Sequence, residues 1–113
     1  MNLDYLIIDV FTHEPFGGSR LNLFTRGDLV PENLMQKLAL EMGCGETAFV
    51  VPARSGGPDR AGLRVFTPAA EIPFSGHSVL GATFAMDHMG KRDNQETPGR
   101  FLWELEAGHY FVS

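Results

Sequence analysis

The chain has 113 residues, which is enough for one domain with a small hydrophobic core. Its formal charge of −5 is spread along the sequence, and its nine Lys and Arg residues form no basic stripe, which argues against a nucleic-acid surface. We also expect no membrane span, no signal peptide and, with a single cysteine, no internal disulfide, and therefore a cytoplasmic protein.

The chain is predicted to begin with two strands separated by a loop. Residues 3–11 form the first strand, which is rich in β-branched residues. Residues 12–19 contain one proline and two glycines, a composition that is typical of a loop. Residues 21–25 form the second strand.

A helix is predicted to follow, opened by Pro31, which suits the first turn. Leu34, Leu38 and Met42 recur at four-residue spacing and predict an apolar stripe. Gly43 is the expected C-terminal stop. This helix should lie on the outside of the domain.

Two further strands, over residues 47–51 and 63–67, precede a second helix that should run from Gly76 to Met89. Because it carries little polar surface before Asp87, we expect it to be buried. A fifth strand over residues 101–105 and a hairpin after it are the last predicted elements.

Strands wrapped around one buried helix, with a second helix outside, predict an α+β fold. Residues 1–113 are interpreted as a single domain.

The start of the second helix is the strongest candidate for a ligand site. The first turn of a helix carries backbone N–H groups without intrahelical partners and a partial positive charge, so it suits an anion such as a carboxylate. Gly76, His77 and Ser78 lie in that turn. The alternative is structural: Ser75 caps the helix and His77 is solvated.

Glu46 is the leading candidate for proton transfer. It follows the small residues Gly43, Cys44 and Gly45 and precedes an apolar run, so its carboxylate is expected to be partly desolvated and suited to acid–base work. The alternative is a surface glutamate at a strand edge. Cys44 is interpreted as a small core residue, and the alternative is a nucleophilic or acid–base thiol. Arg20 either pairs a substrate carboxylate or is solvated.

The four histidines show no metal-binding spacing, so no metal site is expected.

Three segments together resemble the phenazine biosynthesis (PhzF) isomerase family. The first combines Asp9-Val10-Phe11-Thr12 with Pro15-Phe16-Gly17-Gly18, and the second is Gly45-Glu46-Thr47-Ala48-Phe49-Val50. The third, which is the most specific, runs from Arg64 to His77 as RVFTPAAEIPFSGH.

The resemblance implies a diaminopimelate-epimerase-like fold, in which each of two halves wraps strands around a central helix and the active site lies between the halves. It implies that Glu46 shuttles the proton and that Gly76 and His77 lie beside the substrate carboxylate. Ser19, Arg20 and Ser78 are expected to complete substrate binding. The best-known relative isomerises a dihydro-hydroxyanthranilate without a metal or organic cofactor, and other members act on different small acids.

The chain departs from the family pattern around the predicted pocket. Ser19-Arg20 stands in place of asparagine–proline, Gly45 in place of serine, and Ser78 in place of proline. These changes leave the substrate open.

The chain also matches only the first half of a family member. We therefore expect two copies to associate about a two-fold axis, each supplying the missing wall, with the two Glu46 carboxylates close together. The alternatives are a non-catalytic small-acid-binding or dimerisation domain, and a truncated remnant.

Overall fold

A computed structural model describes residues 5–10, 19–43, 45–54, 56, 60–88 and 101–112. Within these ranges the chain forms one seven-stranded sheet with an α-helix against each face. The strands are β1 (Tyr5–Val10), β2 (Ser19–Phe24), β3 (Glu46–Val51), β4 (Arg60–Phe66), β5 (Glu71–Ile72), β6 (Phe101–Leu105) and β7 (Gly108–Val112). The helices are α1 (Glu32–Met42) and α2 (Gly76–His88), and a short 3-10 helix covers Gly27–Leu29.

The sheet has the order β1-β2-β3-β4-β6-β7, with β5 paired to β4. The pairs β2–β3 and β4–β6 are parallel, and the other pairs are antiparallel. Parallel neighbours need a crossover connection, which α1 supplies for the first pair and α2 for the second. The two pairs run in opposite directions, since β3 and β4 are antiparallel. Crossovers of the usual right hand therefore place the two helices on opposite faces.

The α2 face of the sheet carries the larger core. Alternate residues of each strand point to the same face, so Leu21 and Leu23 of β2 lie beside Ala48 of β3. Across from them, α2 contacts β1, β2 and β3. The buried residues of this core are Leu21, Leu23, Ala48, Ala61, Leu63, Val65, Val79, Ala82, Ala85, Met86, Trp103 and Leu105. A mixed sheet packed on α2, with α1 on its other face, confirms the predicted α+β fold.

The α1 face carries a smaller, aromatic core. Phe24 stacks on Phe49 with ring centroids 5.0 Å apart, and Phe66 meets Phe49 edge-on at 5.5 Å. Met35 and Ala39 of α1 pack against these rings.

The predicted apolar stripe of α1 is correct for Leu38 and Met42 and wrong for Leu34. The buried positions are Met35 and Ala39, with Leu38 and Met42 partly buried beside them, whereas Leu34 is exposed. The buried set therefore follows the spacing i, i+3, i+4, i+7 from Met35, which is the pattern of one helix face.

The predicted burial of α2 is correct for most of the helix and wrong for one side. Leu80 and Phe84 lie one turn apart and are 61% and 65% exposed. They point away from the sheet, because the sheet already covers the face that carries Val79, Ala82 and Met86.

The element bounds mostly agree with prediction. β6 and the hairpin that it forms with β7 are confirmed, β4 begins three residues earlier than predicted, and β5 was missed. Gly43 ends α1 with a left-handed φ of 81°, as expected for a C-terminal stop. Of the predicted loop over residues 12–19, Ser19 is instead the first residue of β2, and residues 12–18 lie outside the described residues. Cys44 and residues 89–100 also lie outside them.

Candidate active site

Glu46 is the first residue of β3 and lies on the α2 face of the sheet. Its Cα is paired with that of Leu21 on the parallel strand β2, and Ala48, two residues further along, is part of the core beneath α2. The residue is half-buried. The sheet therefore holds this carboxylate at the edge of the core, opposite the beginning of α2.

Two serine hydroxyls bind the Glu46 carboxylate, and both donate to the same oxygen. Ser75 Oγ lies 2.5 Å from Glu46 Oε1, and Ser78 Oγ lies 2.6 Å from it. Ser78 is fully buried and Ser75 is nearly so. The contacts join β3 to the first turn of α2 across about 30 residues of sequence.

Ser75 also caps α2, as one of the two sequence interpretations proposed. Its Oγ accepts a hydrogen bond of 3.1 Å from the backbone N–H of Ser78, and its carbonyl accepts one of 3.0 Å from Val79. The capping hydroxyl is the same group that donates to Glu46. Ligand binding at this turn, the other interpretation, stays a prediction.

Gly45 fixes the backbone immediately before Glu46. Its φ is +73°, in the left-handed region, and a Cβ placed on it would lie 2.2 Å from the carbonyl oxygen of Arg20. Only glycine allows β2 and β3 to approach this closely at position 45, immediately before β3 begins at Glu46.

The structure brings some of the predicted site residues together and separates others. Gly76 is exposed in the first turn of α2, and the backbone of His77 follows it in the same turn. Ser19 begins β2, two residues before Leu21. For Ser19 and His77 the structure describes the backbone only.

Arg20 lies on the opposite face of the sheet from Glu46. Successive residues of a strand alternate between faces, and Leu21, the neighbour of Arg20, shares the face of Glu46. For Ser78 the structure gives full burial and a contact with Glu46. Direct contact of Arg20 or Ser78 with a substrate stays a prediction.

The segment between β4 and α2, which carries Ser75, is held by an ion-pair group that sequence reasoning did not find. Arg64 of β4 donates through Nε and Nη2 to both carboxylate oxygens of Glu71 in β5, each at 2.9 Å. Its Nη1 lies 2.9 Å from Glu32 of α1. The hydrogen bonds to Glu71 raise the pKa of Arg64 above its ordinary value. Partial burial lowers this pKa, and the contact with Glu32 raises it.

A second contact holds the same segment further along. The backbone N–H of Ala107, in the turn between β6 and β7, donates to the carbonyl of Pro73 at 3.1 Å. Contacts at Glu71 and at Pro73 thus hold the segment that leads to Ser75.

Replacing Arg64 by lysine is expected to destabilise the fold by about 1–2 kcal/mol, because lysine keeps the charge but cannot bind Glu71 through two parallel hydrogen bonds. Urea unfolding followed by circular dichroism measures the change. The matched control is Arg26→Lys, because the Arg26–Asp28 pair is more exposed (side chains 54% and 32% exposed, against 30% and 29% for Arg64 and Glu71), and the stability of this variant should change much less. Equal losses in both variants would contradict a special role for Arg64.

A concavity of about 430 Å³ lies beside β4, β5 and the β6–β7 turn, and it does not include Glu46. Several charged residues of its lining already have partners. Arg64 is paired with Glu32 and Glu71, and Glu104 accepts a hydrogen bond of 2.8 Å from the backbone N–H of Arg54.

Within the described ranges, no group of three or more His, Cys, Asp or Glu side chains is placed to hold a metal ion. No helix in this part of the chain is long and apolar enough to cross a membrane.

Residues 8–109 match the family model of the phenazine biosynthesis-like proteins, PhzC-PhzF. This chain belongs to that family. The resemblance inferred from the three sequence segments is therefore confirmed.

Two curated relatives show what kind of protein this PhzF-family chain is similar to. It is 41% identical over 83 residues to a trans-2,3-dihydro-3-hydroxyanthranilate isomerase of Pseudomonas fluorescens, an alignment that covers 74% of this chain and 29% of the relative. It is 35% identical over 98 residues to the human phenazine biosynthesis-like domain-containing protein, covering 83% of this chain and 34% of that protein.

Solved structures of the family have the same fold. A PhzF-family protein of Bacillus anthracis superposes with a TM-score of 0.80 at 27% identity, covering 98% of this chain and 36% of that one. A PhzF-family protein of Enterococcus faecalis also gives 0.80, at 28% identity, covering 100% and 40%. The chain thus spans about a third of the length of the relatives that it matches, and the matched part lies in their N-terminal half, as the sequence predicted.

Proposed function

We propose that this chain acts as a PhzF-like isomerase that moves a proton within a small carboxylic acid, with Glu46 carrying the proton. The observation that supports this most directly is the Glu46 carboxylate, held by two serine hydroxyls at the beginning of α2. A carboxylate fixed beside a ligand site has the geometry that general acid–base catalysis needs. The proposal includes no metal and no organic cofactor, and it places the protein in the cytoplasm.

The first turn of α2 is the proposed site for the carboxylate of the substrate. Ser75 uses the N–H of Ser78, so the N–H groups of Gly76 and His77 are the ones that we assign to the substrate. Gly76 is exposed and suits a close approach by a ligand. We assign orientation of the substrate to His77, with Ser19 as a further binding residue. Arg20 lies on the opposite face of the sheet, and its contact with a substrate stays a sequence-based prediction.

The relatives define the first substrate to test. A relative that is 41% identical is named as an isomerase of trans-2,3-dihydro-3-hydroxyanthranilate, which is a small carboxylic acid. The protein is incubated with this compound in deuterium oxide, and the compound is followed by proton NMR. Enzyme-dependent deuterium incorporation or conversion supports the isomerase. Binding without exchange favours a small-acid-binding domain, and neither binding nor exchange favours a remnant.

The second wall of the site is proposed to come from a second copy of the chain. Glu46 is only half-buried, and α2 exposes Leu80 and Phe84 one turn apart. An exposed apolar pair on the helix that begins at the site suits a contact between two copies related by a two-fold axis.

Sedimentation analysis at micromolar concentration is expected to show a dimer for the unchanged chain and a monomer for Leu80→Asp, since a charge placed in an apolar contact opposes burial. Leu40→Asp is the matched control, because Leu40 is exposed to the same degree (62%) but lies on α1, against the other face of the sheet. This variant should remain dimeric. A monomer at every concentration for the unchanged chain would refute the second-copy proposal.

A further inference from the structure

We propose that Ser75 and Ser78 are positioning residues that occupy one oxygen of the Glu46 carboxylate, and so assign proton transfer to the other oxygen, Oε2. The inference rests on the proposed function of Glu46. Ser75 and Ser78, by binding Oε1, leave Oε2 as the carboxylate oxygen that contacts the substrate.

The geometry at Oε1 leaves little room for a third partner. A carboxylate oxygen offers about two lone-pair sites, and both hydroxyls donate to Oε1, at 2.5 Å and 2.6 Å. Among the described residues, no hydrogen bond is made to Oε2. The two oxygens of one carboxylate are therefore in different surroundings.

The directions of the two hydroxyls are fixed by their own contacts. Ser75 Oγ accepts the backbone N–H of Ser78, so its proton is free to point at Glu46. Ser78 has no exposed surface, so its hydroxyl cannot turn to bulk water instead. The backbone N–H of Ser78, the Ser75 hydroxyl and the Glu46 carboxylate thus form a chain of two hydrogen bonds at the N-terminus of α2. In such a chain each hydrogen bond polarises and strengthens the other.

This arrangement defines the proton-transfer step. A C–H bond of the substrate breaks, its electron pair stays in the conjugated substrate, and the proton forms an O–H bond with Oε2. The same O–H bond then breaks as the proton is delivered to a different carbon, which restores the carboxylate. Protonation of Oε1 would displace a serine hydroxyl, so the contacts oppose it.

Ser78→Ala is the cleaner of two tests, because it removes one donor and leaves the Ser75 cap in place. With the carboxylate less firmly held, we expect kcat for trans-2,3-dihydro-3-hydroxyanthranilate to fall about 10- to 100-fold while KM changes less than about twofold.

Ser75 provides a rescue experiment. Ser75→Gly removes the other donor but keeps a residue that helix N-termini accept, and it should lower kcat to a similar extent. Ser75→Thr restores a hydroxyl at the same place and should recover most of the rate.

Thr83→Val is the matched control for loss of a buried hydroxyl on the same helix. Thr83 Oγ1 donates to the carbonyl of Val79 at 2.7 Å and accepts from the Trp103 ring N–H at 2.9 Å, without contact to Glu46. This variant should lose stability and keep kcat.

A second readout does not depend on turnover. In protein labelled with carboxyl-¹³C glutamate, the Glu46 resonance is assigned by its absence in Glu46→Gln. At one fixed pH it should move in Ser78→Ala and stay unchanged in Thr83→Val. An unmoved resonance, or full kcat in Ser78→Ala, overturns the positioning role. A moved resonance in a protein that does not turn over trans-2,3-dihydro-3-hydroxyanthranilate supports the contact and contradicts isomerisation of that compound.

Discussion

Replacing Glu46 by glutamine is expected to lower turnover of trans-2,3-dihydro-3-hydroxyanthranilate by about a thousandfold, because an amide cannot accept and return a proton at neutral pH. The amide oxygen of glutamine can still accept both serine hydroxyls that now reach Glu46 Oε1. The fold should therefore survive, with a change in unfolding free energy of about 1 kcal/mol. Deuterium incorporation into the substrate, followed by NMR, measures the loss.

The matched control for this experiment is Glu106→Gln. Glu106 lies exposed in the turn between β6 and β7, so the same chemical change there should leave turnover unaltered. Full activity in Glu46→Gln would remove Glu46 from the mechanism. It would leave the serine contacts with a purely structural role, namely joining β3 to α2.

The fold was largely readable from the sequence because its main elements carry strong local patterns. β6 was predicted with its exact bounds, and α2 with its exact start, since alternating apolar residues and a serine cap before an apolar run are local signals. β5 was missed because it has only two residues, and its strand pairing comes from β4 and not from its own composition. A pairing of that kind is a tertiary property.

The outward side of α2 was missed for a different reason. A helix with apolar residues on every side has no periodic pattern to show which side faces the sheet. The sequence thus predicted burial for Leu80 and Phe84, and only the packing of β1, β2 and β3 on the other side reveals that they are exposed.

The sequence predicted the residues of the candidate site but not the contacts between them. Glu46 stood out through the small residues before it and the apolar run after it, and Ser75 through its position before α2. That both serine hydroxyls reach one oxygen of Glu46 was not predictable, because the contacts span 29 and 32 residues and no local pattern encodes them. The bidentate pair of Arg64 and Glu71 spans only 7 residues, but it depends on the reversal of the chain between β4 and β5.

Trp103→Ala is expected to cost about 3–5 kcal/mol of stability, which is a large part of the 5–15 kcal/mol that typically holds a domain together. Trp103 has no exposed surface, and it lies in the core between the sheet and α2. Its Cα is paired with Ala61 on the parallel strand β4, so the cavity would open where β6 joins the sheet. Urea unfolding followed by circular dichroism measures the loss, because the chain has one tryptophan and this variant has no indole fluorescence.

Trp103→Phe separates the packing of the ring from its hydrogen bond. Phenylalanine fills most of the same space but has no N–H to donate to Thr83 Oγ1, a contact of 2.9 Å in the unchanged chain. The Thr83 hydroxyl still donates to the carbonyl of Val79, so no donor is left unsatisfied and the expected loss is about 1–2 kcal/mol. If Trp103→Ala and Trp103→Phe lost the same free energy, the hydrogen bond would be the dominant contribution. If neither lost more than about 0.5 kcal/mol, β6 would not be anchored to α2 through this side chain, and the β4–β6 pairing and the contacts of Glu104 and Ala107 would hold the hairpin.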